Sequence, residues 1–103
     1  MAVTIREVTG AELDEAVQQG KVLVDFYSKT CGPCKMLSFV LKDIAKGIDD
    51  REILLLDYDV NKETVEKYGV SGYPTLIYFE DGVEVERMKG LQQKPTIMKM
   101  IKA

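Results

Sequence analysis

The chain has 103 residues, 46% of them hydrophobic, which is enough apolar material for one core that closes without covalent staples. Its formal charge of −3 comes from acids and bases mixed along the whole length, with no basic run to track a phosphate backbone, and this argues against nucleic acid as a partner. Histidine is absent, so no catalytic or metal-binding role falls to an imidazole, and no apolar run approaches the length that spans a bilayer.

The first residues, MAVTIREVTGAEL, show no basic start followed by an apolar block, so no secretory leader is expected and a cytoplasmic location is. Val3 to Val8 is β-branched and weakly alternating, the pattern of a short strand. Thr9-Gly10-Ala11-Glu12 then has capping-box spacing, which predicts a helix running to about Gln19 and stopped by Gly20. Lys21 to Tyr27 contains Val22-Leu23-Val24-Asp25-Phe26, a continuous apolar run interrupted by one acid, as in a central strand buried on both faces. From Cys34 onward Leu37, Val40, Leu41, Ile44 and Ile48 recur at helical spacing, so the two cysteines sit where a strand hands over to a helix.

A second buried strand is expected over Glu52 to Tyr58. Asn61 then suits the N-cap of a short helix that Gly69 ends. After the turn Ser71-Gly72-Tyr73-Pro74, Thr75 to Phe79 and Val83 to Met88 read as hairpin strands joined across Asp81-Gly82. Pro95 suits a first helical position, and Ile97, Met98 and Ile101 give the last helix one apolar side. The order β-α-β-α-β-α-β-β-α predicts an α/β fold, with parallel crossovers early and a hairpin late. No linker or repeat divides it, so residues 1–103 are read as a single domain.

Cys31 and Cys34 are the chain's only cysteines, separated by Gly32-Pro33. A structural bond closing so short a loop would contribute only about 2 kcal/mol in the loop-entropy model. A zinc site wants four ligands, commonly Cys or His, and two cysteines do not supply them; no metal and no bound cofactor is expected. Buried inert thiols fit poorly with Gly-Pro at a helix start. Redox exchange is the reading that remains. A thiolate is the nucleophile in such exchange, and Cys31 lies at a helix mouth, where unpaired amides favour negative charge. Cys34, three residues on, is placed to resolve the mixed disulfide. Gly32 admits another backbone, Pro33 stiffens the turn, and Lys35 either adds positive potential or is simply solvated. Asp25 is costly to ionise inside an apolar strand, so its pKa should rise; a solvent-facing carboxylate at a strand edge is the plainer alternative.

With VLVDFYSKTCGPCKML, KYGVSGYPTLIYFEDG and the later Gly90 in view, the chain resembles the thioredoxin family from end to end. The resemblance implies a thioredoxin fold, a central mixed sheet of about five strands flanked by about four helices. It implies a thiol-disulfide oxidoreductase that reduces protein disulfides through Cys31 and Cys34 and is recycled by a thioredoxin reductase. It further implies that Asp25 serves the buried thiol as general base and acid, and that Tyr73-Pro74 is a cis bond lying against the cysteine pair. Gly72, Tyr73, Pro74, Gly90 and Leu91 would then form a shallow docking patch for an extended disulfide-containing client, although an ordinary exposed aromatic remains the plainer account of Tyr73. A monomer is expected. Four positions depart from the family's pattern: Tyr27 and Thr30 replace tryptophans beside the motif, Phe39 replaces a helix-bending proline, and Leu55 stands where a lysine often neighbours the buried acid. An isomerase or oxidant on the same fold is disfavoured by Gly-Pro between the cysteines. A non-enzymatic binding module is the competing class of function.

Overall fold

Alternation in β2 (Lys21–Tyr27) decides what lies on each side of the fold. Val22, Val24 and Phe26 join a buried cluster on one side with Leu13 and Val17 of the first helical region and Val65 of the third helix. Leu23 points the other way, into a cluster with Leu37, Leu41 and Ile44, and with Ile97 and Met100 near the C-terminus. Asp25 shares that second side with Leu23 by the two-residue period.

The computed structural model describes residues 3–103. Around β2 its other elements are β1 (Ile5–Glu7), α1 (Gly10–Ala16), α2 (Gly32–Ala45), β3 (Glu52–Asp57), α3 (Lys62–Lys67), β4 (Thr75–Glu80), β5 (Val83–Lys89) and α4 (Lys94–Met100). The sheet order is β1-β3-β2-β4-β5. β1, β3 and β2 run parallel, while β2, β4 and β5 are antiparallel neighbours. This is the expected mixed sheet of five strands flanked by four helices. Parallel pairing puts the ends of β2 and β3 side by side, with Tyr27 opposite Asp57.

Local chemistry accounts for most element ends. Thr9 caps α1, accepting from the Glu12 amide while the Glu12 carboxylate accepts from the Thr9 amide, which is the expected capping box. At the hairpin Asp81 and Gly82 have φ of 48° and 86°, the paired left-handed conformation of a two-residue turn whose twist suits the flanking strands. Two expectations need correction and a third is refined. α1 ends at Ala16 rather than Gln19, because the Gln18 amide drops back to the Glu15 carbonyl and tightens the last turn before Gly20. α2 ends at Ala45, and Ile48 is buried from the turn beyond it. Asn61 holds the N-cap position of α3 as expected, but without the side-chain bond of a cap; its Nδ2 donates instead to the Asp57 carbonyl at 2.9 Å.

Candidate active site

The chain leaves β2 at Tyr27 and enters α2 at Gly32, so residues 28–31 must reverse from a buried strand into a helix packed on the same sheet face. Cys31 takes the N-cap position, with φ −101° and ψ 117°, and its sulfur accepts the Cys34 amide at 3.0 Å. A cap normally offers oxygen to that amide; here a sulfur does, within the partial positive field of the helix start. α2 has no acid in its first turn to oppose this, and Pro33 occupies the first turn where its missing N–H costs no helical bond. The two sulfurs are at bonding distance, with Cα atoms 5.2 Å apart. Cys31 is partly exposed, whereas Cys34 is buried.

Asp25 is 1% exposed, so the solvent-facing reading of it is wrong. Its register neighbours are Leu55 on β3 and Leu76 on β4, and its Oδ1 has no hydrogen-bond partner. Burial raises its pKa from 3.8 to about 7. A cavity of about 230 Å³ joins Asp25 to Cys31, Cys34, Lys35, Ser38 and Leu55. The acid and the buried sulfur therefore face one common space, open at a rim that carries Lys29 and Lys35.

The loop before Cys31 is tied to the end of β3 and the residues just after it through polar groups, of which the sequence marks Tyr27 and Thr30 only as departures from the family's pattern. Buried Ser28 donates to Asp59 Oδ2 at 2.6 Å and lies 3.2 Å from the Thr30 hydroxyl. Lys29 Nζ is 3.7 Å from the buried Asp57 carboxylate. Burial, then a hydrogen bond to Glu7, pushes the Tyr27 hydroxyl pKa well above its ordinary value. The available signal was the pair Asp57 and Asp59 directly after the apolar run Ile53 to Leu56.

On the antiparallel side, Phe26 pairs with Thr75, which puts Pro74 beside Tyr27 at the same end of the sheet. The Tyr73–Pro74 peptide bond is cis. The Gly90 amide donates to the Pro74 carbonyl at 2.7 Å, and the Gly72 amide donates to the Tyr58 hydroxyl at 3.1 Å. Gly72 and Gly90 have φ of 108° and 90°, conformations that favour glycine. Tyr73 is exposed and stands edge-on to Tyr58 at 5.1 Å between ring centroids, and Leu91 follows Gly90 into solvent. Tyr73 is thus exposed, but built into an aromatic pair. Among the described residues no group of three or more Cys, Asp or Glu is arranged to hold a metal ion.

A sequence model of the thioredoxin family matches residues 4–103. A thioredoxin of Chlamydia muridarum is 47% identical over 87 residues, covering 84% of this chain and 85% of that one. One of Staphylococcus aureus is 41% identical over 100 residues, 96% of each chain. Among solved structures, a mutant thioredoxin from Halobacterium salinarum superposes with a TM-score of 0.89 at 37% identity, covering 99% of this chain and 93% of the other. The Fasciola hepatica thioredoxin superposes with a TM-score of 0.85 at 30% identity, covering 96% and 97%.

Proposed function

This chain belongs to the thioredoxin family, and from that premise we propose how its thiol-disulfide oxidoreductase chemistry divides among its residues. The activity is protein-disulfide reduction. In the first exchange the Cys31 thiolate attacks one sulfur of a client disulfide, forming a mixed disulfide as the client's other sulfur leaves as a thiolate and takes up a proton. In the second, Asp25 as carboxylate accepts the Cys34 proton, the Cys34 thiolate attacks Cys31 Sγ, and the client's remaining sulfur departs. Two electrons have then passed to the client, and the chain holds the Cys31–Cys34 bond. A thioredoxin reductase returns it to the dithiol by the reverse exchanges, and no bound cofactor is needed on this chain.

Gly32 and Pro33 shape the turn, and Gly72, Tyr73, Pro74, Gly90 and Leu91 receive the client as an added extended strand. Lys35 adds positive potential at the rim of the Asp25 cavity. Residues 1–103 act as one domain, a monomer in the cytoplasm. The observation that carries this division is the Cys31 sulfur standing as the cap of α2, with Cys34 behind it on the cavity of Asp25.

The test supplies NADPH, a thioredoxin reductase and a protein disulfide, and follows NADPH consumption. Turnover is expected with the native chain and none with Cys31→Ser. Cys34→Ser is expected to accumulate a covalent mixed disulfide with the client. Loss of turnover without that adduct would contradict the assigned order of attack. Retention of function by the double serine variant would make the chain a binding module.

A further inference from the structure

We propose that the solvent-facing crest of α2 is a second docking surface, one that selects disulfide-bearing proteins carrying an apolar side chain flanked by carboxylates. The proposal rests on the assignment of Cys31 as the attacking sulfur. Met36 and Phe39 are 57% and 56% exposed, and they stand three residues apart on one helix face. Single exposed apolar residues are ordinary; their company here is what sets them apart. Lys42 Nζ lies 5.6 Å from the Phe39 ring centroid. Lys21, Lys29, Lys67, Lys94 and Lys102 each pair with a carboxylate. Among the described residues, Lys35, Lys42 and Lys46 form no ion pair with one.

Seven and four residues apart, those three lysines share one flank of α2. Below them a groove of about 480 Å³ runs to the sheet edge, lined by Val3, Ile5, Ala45 and Leu55 with Lys42 and Lys46 at its rim. Lys62, Lys89 and Lys99 also lack a carboxylate partner, each on a different element; α2 and its C-terminal cap residue gather three such cations beside exposed Met36 and Phe39, in a chain of net charge −3. The chemistry that satisfies both is an acidic, apolar segment of a partner.

Reach decides that a protein fits. At 1.5 Å per residue, Phe39 lies about 12 Å and Lys42 about 16 Å along the helix from Cys31. A standard interface buries roughly 800 Å² on each partner, a disc of about 16 Å radius. A partner that places its disulfide on Cys31 therefore covers Phe39 and reaches Lys42, whereas a small disulfide reagent touches neither. The far side of the motif, at Tyr73–Pro74, would read the partner's backbone, and the α2 crest would read its side chains.

The experiment measures second-order rate constants for the pre-reduced protein with synthetic disulfide-linked peptides. These are alike except four to six residues from the cystine, where they carry Phe-Glu-Glu, Phe-Lys-Lys or Ser-Glu-Glu, in either chain direction. Each rate is divided by that for bis(2-hydroxyethyl) disulfide. The acidic phenylalanine peptide is expected to react about tenfold faster than its lysine counterpart at low ionic strength, with the advantage shrinking as salt is added. Phe39→Ser should remove its advantage over the serine peptide, and Lys42→Glu should shrink the charge preference, since Lys35 and Lys46 remain. Equal normalised rates for all peptides, or preferences untouched by both variants, would overturn the proposal. A concentration-dependent dimer that Phe39→Ser dissolves would also overturn it, giving the crest to a second copy of the chain. No reaction even with the small disulfide would overturn the underlying assignment of Cys31, and the proposal with it.

Discussion

Asp25 ionises at a cost that the rest of the fold must carry. The folded protein holds its proton up to about pH 7, while an unfolded chain releases it near 3.8. Between those values the folded state binds more protons than the unfolded one, so this group's contribution to stability falls as pH rises and levels off above about 7. The interval of about three units, at about 1.36 kcal/mol each, corresponds to roughly 4 kcal/mol at most. Asp25→Asn should therefore match the native chain in stability near pH 4 and exceed it by several kcal/mol above pH 7 in urea denaturation, while the second exchange slows. A constant difference across that range would show that the carboxylate is not paying for burial. Leu55 is the register neighbour that leaves the acid without a cation. Leu55→Lys should lower the Asp25 pKa, read as a titration midpoint of its carboxyl carbon moved to lower pH by NMR; an unmoved midpoint would mean the lysine points away. Asp25 was legible in sequence because an acid breaks an apolar run. Ser28 and Ser38 were not, because a small hydroxyl says nothing until other elements bring Asp59 or a cavity to it.

Elements were legible where a local rule settles them alone. β2 runs over Lys21–Tyr27 and the hairpin turns at Asp81–Gly82, both as the sequence pattern predicts. Element ends were less so, since the Gln18 amide and the Asn61 side chain chose backbone carbonyls that no pattern specifies. Thr9 at the start of α1 is a cap of the legible kind. Thr9→Ala should cost about 1 kcal/mol in denaturant midpoint analysis. It should leave the rate of disulfide exchange unchanged, because α1 packs with α3 on the opposite side of the sheet from Cys34. A change in rate with no loss of stability would mean the two sides are coupled through the strands.

At the scale of the whole molecule, sheet order brings the site together. β2 lies between parallel β3 and antiparallel β4, so the cysteine loop, the acids after β3 and the Tyr73–Pro74 turn meet at one end of the sheet. Element order and the hairpin predicted the mixed sheet, but which lysines on α2 would lack carboxylate partners depends on side-chain placement across several elements. The same frame tests whether the Cys31–Cys34 bond is chemistry or staple. Oxidising the pair closes a loop three residues apart, worth about 2 kcal/mol to the folded state by restricting the unfolded chain. Reducing it leaves a Cys31 thiolate that the Cys34 amide and the α2 terminus favour only in the folded state, which offsets part of that difference. In a closed cycle, the stability gap between oxidised and reduced protein equals the difference in the pair's reduction potential between folded and unfolded chain, at about 1.4 kcal/mol per 30 mV. The gap measured by denaturation should stay under about 2 kcal/mol, and glutathione equilibria on native and urea-unfolded chain should differ by less than about 40 mV. A gap of several kcal/mol would mean that the fold is built around the closed bond, and a pair that costly to open would be a poor carrier of electrons.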